Sequence, residues 1–212
     1  MKEWRRVFGK RGGNRKNGSP PERTVKHFQN HPLYIHALVD KIAPILRQFR
    51  DSSRAALVFS AHGLPLSLVK KGDPYPRQVE ETMRLVCQRG SAMVPSWPSK
   101  HVLCYQSRVG RQKWLEPTLT NTIERLAREG VKEILVVPVS FVTEHIETLH
   151  EINIEARAEA EKLGIETFRM MPAMGDSPLF IAALTDLVLR AVGIAPASRA
   201  KPLAPVPVVA AR

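Results

Sequence analysis

The chain of 212 residues predicts an α/β fold, a four-stranded parallel sheet with helices on both faces, and three observations carry that expectation. Four apolar runs recur along it, each followed by a segment with helical spacing. The runs read as nearly continuous rather than alternating, which is the pattern of strands buried on both sides between helix layers. Gly130 and Gly164 stand where helices should end, each shortly before the next run. Such a sheet places its active edge at the carboxyl ends of its strands.

The elements follow in order. Leu33, Ile35, Leu38, Val39, Ile42, Ile45 and Leu46 recur at helical spacing after the start signal Asn30-His31-Pro32, predicting a helix over 32–49. Four β-then-α units come next: strand 55–60 with helix 76–89, strand 101–106 with helix 117–129, strand 133–139 with helix 146–163, and strand 166–171 with helix 177–192. No internal repeat longer than that unit is visible.

Composition sets the outer limits. With 43% apolar residues the chain has enough to build one domain with a real core. The formal charge of +12 first suggests nucleic acid or an anionic membrane, but its distribution argues otherwise. Residues 1–26 hold nine Lys/Arg against two acids, residues 195–212 hold three against none, and the stretch between them is close to neutral at 20 against 18. The expected organisation is therefore a disordered basic arm over 1–23, one domain over 24–194, and a disordered Ala/Pro tail over 195–212. A near-neutral core with no basic stripe excludes nucleic acid as a partner. No run of eighteen apolar residues exists and the start lacks the apolar stretch of a secretory signal, so the expectation is a cytoplasmic protein with at most peripheral contact at the inner membrane. Cys87 and Cys104 form no closely spaced pair, which fits a reducing compartment.

Chemistry is expected at two strand ends. Ser60-Ala61-His62-Gly63-Leu64-Pro65 follows the run Ala55–Phe59 and presents an imidazole where a buried strand breaks into a Gly/Pro turn. The run Ile134–Val139 ends the same way and leads into Phe141-Val-Thr-Glu-His145-Ile-Glu147-Thr-Leu-His150-Glu151, so His and carboxylate groups from two strand ends can converge on one metal ion. A lone His at a strand end also serves as a turn cap or packing residue. Glu147, Glu151 and Glu155 lie at i, i+4 and i+8, and like charges at that spacing disfavour each other by about 0.2–0.5 kcal/mol per pair. A metal path or proton relay explains the row, and so does the solvated face of an amphipathic helix with acids near its N-terminus. His27, His31, His36 and His101 are given no role.

Taken in order, Ser60-Ala-His-Gly-Leu-Pro-Leu-Ser67, the turn Gly72-Asp-Pro-Tyr-Pro76, Tyr105-Gln-Ser-Arg-Val-Gly110 with Trp114-Leu-Glu-Pro117, and Phe141-Val-Thr-Glu-His-Ile-Glu-Thr-Leu149 resemble the C-terminal half of ferrochelatase. The resemblance runs from about Arg23 to about Val192, and nothing in the chain resembles the first of that family's two similar domains. It implies a class II chelatase-like, Rossmann-like domain that inserts ferrous iron into a porphyrin, protoporphyrin IX or coproporphyrin III, in haem biosynthesis. Holding the ion, removing two pyrrole N–H protons and bending the macrocycle are within reach of side chains, so no organic cofactor is expected, and the Cys-free tail after Ile194 predicts no iron-sulfur cluster.

Residue by residue, the resemblance makes His62 and Glu147 the catalytic pair and the metal ligands. It makes Glu151 and Glu155, with His145, a metal path or proton relay, His145 serving equally as a ligand or as a brace for its loop. Tyr105, Gln106 and Ser107 are candidates for lining the cleft, and Arg108 and Lys113 for meeting porphyrin propionates. Glu144 stands where some members have Asp. The expected partners are porphyrin and ferrous iron, with either a separately encoded N-terminal half or a second copy of the chain to complete the site. The competing readings are a homodimeric small chelatase for cobalt or nickel, and a non-catalytic tetrapyrrole- or iron-binding remnant.

Overall fold

The computed structural model describes residues 23–108 and 110–194. The basic arm, apart from Arg23, and the Ala/Pro tail lie outside the described residues. Four strands, β1 (Ala56–His62), β2 (Lys100–Gln106), β3 (Glu133–Pro138) and β4 (Thr167–Met170), form one parallel sheet in the order β2-β1-β3-β4. The expected parallel α/β architecture is present. Strand order reverses direction between β1 and β3, so the two segments with His and carboxylate groups leave the sheet side by side at its switch point.

The strands are apolar throughout because alternate residues serve two cores. Leu57, Phe59 and Ala61 with Leu135 and Val137 face a layer built from α1 (Pro32–Leu46), α3 (Tyr75–Met93) and α6 (Pro178–Ala191). Ala56 and Val58 with Ile134, Val136 and Cys104 face α4 (Leu119–Arg128), a π-helix over Thr148–Ala156, and α5 (Arg157–Lys162). A short helix, α2 (Leu66–Lys70), lies between β1 and α3. Burying one Leu or Phe side chain contributes about 1.5–3 kcal/mol, whereas an exposed pair such as Lys100–Glu129 is screened by solvent and adds little. Burial of the two sheet faces therefore outweighs surface charge in holding the domain. His31, given no role from sequence, ties the start of α1 to α6 through Asp186 at 2.8 Å.

The short helix α2 was not expected, α3 runs on past residue 89 to Met93, and two further helices differ in form. The first helix stops at Leu46, and the backbone to Phe49 tightens into i→i−3 turns although Phe49 is buried as its spacing implies. The expected helix over 146–163 is instead a nine-residue π-helix continuing into α5. Bonding i→i+5 stacks residues five apart, and His150 Nδ1 accordingly lies 3.6 Å from Glu155 Oε1. Apolar periodicity cannot distinguish the two forms, because Ile152, Ala156 and Ala160 reach the core through either. No helix among the described residues is long and apolar enough to cross a membrane.

Cys87 and Cys104 are free and buried, and burial pushes both thiols up to about 12 from their ordinary 9.0. The folded chain thus holds these protons more tightly than the unfolded one. Their stabilising contribution is fully present below about pH 9 and is lost as pH rises toward about 12. Melting temperature is expected to fall across that window, and Cys104→Ala to show a shallower fall; equal slopes in thermal scans of the two proteins would contradict this.

Candidate functional site

β1 carries the site because its carboxyl end is the first point at which a side chain of this strand escapes burial: every residue of β1 is buried except His62. Sequence placed His62 in the turn after the strand, but it still pairs in register with Gln106 of β2. Beyond it, the two motif loops are zipped together. Gly63 N–H donates to the Gln106 carbonyl at 2.7 Å, Leu66 N–H to the Lys113 carbonyl at 2.9 Å, and Leu115 N–H to the Leu64 carbonyl at 3.0 Å. Only glycine fits at position 63. A Cβ there would stand 2.9 Å from the Gln106 carbonyl oxygen, 3.1 Å from that of Ser107 and 3.2 Å from Cε3 of Trp114.

The His62 ring has its tautomer decided by geometry. Nδ1 lies 2.8 Å from the Gly63 carbonyl, which can only accept, so Nδ1 carries the proton and the lone pair of the neutral ring sits on Nε2. Nε2 faces Glu147 Oε2 at 3.5 Å, with both side chains between a third and a half exposed. With the ring neutral, two acceptors confront each other across a gap longer than a hydrogen bond. Donors each about 2.1 Å from a shared tetrahedral ion stand about 3.4 Å apart, so the gap fits one divalent cation.

Around this pair, Tyr75 donates to the His62 carbonyl at 2.9 Å and Ser140 accepts from the His62 N–H at 2.7 Å. Phe141 neighbours both histidines, its ring centroid 6.2 Å from that of His62 and 5.8 Å from that of His145. His145 Nδ1 accepts from the Glu147 N–H at 3.3 Å, and Thr148 closes the same turn by donating to the His145 carbonyl at 2.9 Å. The His145 ring nitrogen nearest Glu147 is thus engaged in bracing its loop.

The rest of the acidic row opens onto a second space. A cavity of about 600 Å³ beside the end of β2 is lined by Gln106, Ser107, Thr118, Glu151, Glu155 and Glu159, among others including Tyr105 and Arg108. Ser107, whose φ of 59° lies in the left-handed region, donates to Glu151 at 2.6 Å. Tyr105 and Gln106 are buried, and burial pushes the Tyr105 phenol up to about 12. These residues line the cavity with Glu151 and Glu155, whereas His62 and Glu147 do not contribute to its walls. On the rim, Arg108 Nη2 lies 3.6 Å from Glu116 Oε1. Among the described residues, no three His, Cys, Asp or Glu side chains cluster as a metal site. Sequence reasoning had named the turn containing Tyr75 without giving that phenol a task, and had passed over Ser140.

SirB from Bacillus subtilis with Fe3+ has a similar fold, with a TM-score of 0.51 at 16% identity over 91% of this chain and 64% of that one. The family model described as Ferrochelatase matches residues 1–192, taking in the basic stretch as well as the domain, and the chain belongs to the ferrochelatase family. It is 47% identical over 164 residues to a ferrochelatase of Geobacter sp. (strain M21) and 48% identical over 164 residues to that of Geotalea daltonii, covering 77% of this chain in each case. The chain spans about half the length of these curated relatives.

Because two of the three groups crowding a Cβ at position 63 are backbone, Gly63→Ala is expected to destabilise the chain by about 1–3 kcal/mol through overpacking. Urea unfolding tests this, and an unchanged midpoint would mean that the two motif loops part freely.

Proposed function

We propose that this chain supplies the metal-handling half of a ferrochelatase site, in which ferrous iron enters a porphyrin as two pyrrole N–H protons leave. The observation that carries the reading is the confrontation of the His62 Nε2 lone pair with the Glu147 carboxylate at 3.5 Å. Two unpaired acceptors held face to face are stabilised by a cation or a proton between them, and metal insertion requires each in turn. A site with only two protein donors leaves most of the coordination shell to solvent or porphyrin nitrogens. That suits an ion in transit better than a resident one, which proteins hold with three or four ligands.

In this reading His62 and Glu147 are the ligands and proton acceptors, and His145 braces the loop that presents Glu147. Glu151 and Glu155, on the cavity wall, feed ions toward the pair or carry protons away, since hard oxygen donors suit a divalent ion in transit. Family membership and the motif matches support these roles. The reaction calls on no organic cofactor; iron is a substrate.

The porphyrin needs a second wall, because one domain leaves a macrocycle face in water and cannot impose the bend that exposes its nitrogens. A further ferrochelatase domain or a second copy of this chain would supply that wall. The substrate is protoporphyrin IX or coproporphyrin III.

Anaerobic assay with ferrous iron, following loss of free-base porphyrin fluorescence, tests the reading at a mass defined by light scattering. The monomer alone is expected to turn over slowly or not at all, and to gain activity when the other half of a relative is supplied. Turnover confined to a dimer would instead favour a small chelatase closing on itself. In whichever assembly is active, His62→Ala and Glu147→Gln should each lower insertion by about 100-fold or more with cooperative unfolding retained. Near-normal rates in both variants would sink the assignment.

A further inference from the structure

We infer that Tyr75 and Ser140 are positioning residues that set the His62 imidazole against Glu147, and so determine how tightly that pair holds a divalent ion. This inference rests on the metal-handling reading of the pair. It starts from where the sheet runs out. The β1–β3 ladder is in register to Ser60 and Pro138, and Val139 N–H still reaches the Ser60 carbonyl. Continuing that register brings His62 level with Ser140, but β3 has ended and no backbone acceptor is there.

The Ser140 side chain takes the place of the missing strand, accepting the His62 N–H at 2.7 Å. Tyr75 donates to the carbonyl of the same residue at 2.9 Å. Two side chains from separate elements thus hold the N–H and the carbonyl of the same residue.

The imidazole has little else to hold it. Its own contacts are the Gly63 carbonyl, one residue away, and the tilted Phe141 ring, and its side chain is 42% exposed. Its position against Glu147 is therefore inherited from the backbone that Ser140 and Tyr75 fix. Both side chains are anchored: Tyr75 packs on the first core and its N–H donates to Asp73, while Ser140 opens the loop that leads to Glu147. Ser140 thus joins the two halves of the pair through one short path. Hydrogen-bonding partners behind metal ligands typically set about 10–100-fold in metal affinity.

Cobalt(II) is the probe, its dissociation constant and d–d spectrum being read on the full chain alongside melting temperature. Tyr75→Phe and Ser140→Ala are each expected to weaken cobalt binding by about 10-fold or more and to change the spectrum, while Ser140→Thr, which keeps the hydroxyl, restores both. The double variant should fall short of the product of the singles, as members of one network do. Weakened stability with unaltered cobalt affinity and spectrum in the folded protein would reduce the two bonds to structural features and overturn the inference. The His62→Ala and Glu147→Gln controls separate the two ways of failing. Tight binding in both controls removes the metal-handling reading and this inference with it. Loss in the controls, with full affinity in Tyr75→Phe and Ser140→Ala, removes the inference alone. Should Tyr75→Phe fail to fold, Ser140→Ala, at a half-buried loop position, decides the matter by itself.

Discussion

β1 is enclosed on every side: β2 and β3 bond to its edges, and two helix layers cover its faces. A strand in that position can carry no exposed polar side chain along its length, because an unpaired polar group there would lose its water without compensation. The one buried hydroxyl, Ser60, is satisfied by the Gln106 side chain at 2.6 Å. Chemistry is therefore pushed to the carboxyl end, where His62 is the first residue with access to solvent. The same enclosure makes the end rigid, so a side chain with few contacts of its own can still be held at a defined distance from a carboxylate on another loop.

The loops at that end form one piece. The segments after β1 and β2 bond to each other through Gly63, Leu66 and Leu115, and the segment after β3 bonds to β1 through Val139 and Ser140. Motifs that lie up to about eighty residues apart are thus parts of one hydrogen-bonded rim. Close approach at Gly63 is the steric condition for that rim, since any Cβ would press on two carbonyl groups.

The π-helix gives the acidic row a geometry of its own. Glu147 precedes its first turn and faces His62, whereas Glu151 and Glu155 turn toward the cavity beside β2. The row therefore joins two spaces rather than marking a single face. Ser107 holds Glu151 at the boundary between them from a left-handed backbone position that a non-glycine residue rarely adopts.

Much of this was determined by the sequence alone. The continuous apolar runs required a sheet buried on both faces, since alternate residues such as Val58 and Phe59 had to find separate cores. The same pattern placed His62 at an exposed strand end, and the ordered motifs named Glu147 as its companion. Tertiary structure decided what periodicity cannot encode. Whether the third crossover helix bonds i→i+4 or i→i+5 leaves Ile152 and Ala156 buried either way, so the π-helix has no apolar signature. Which nitrogen of His62 carries the proton depends on the Gly63 carbonyl, and which side chain replaces the ended strand depends on the β1–β3 register. Tyr75 and Ser140 are ordinary polar residues in the chain, and they acquire a shared partner only when the fold brings the start of α3 and the turn after β3 to the end of β1.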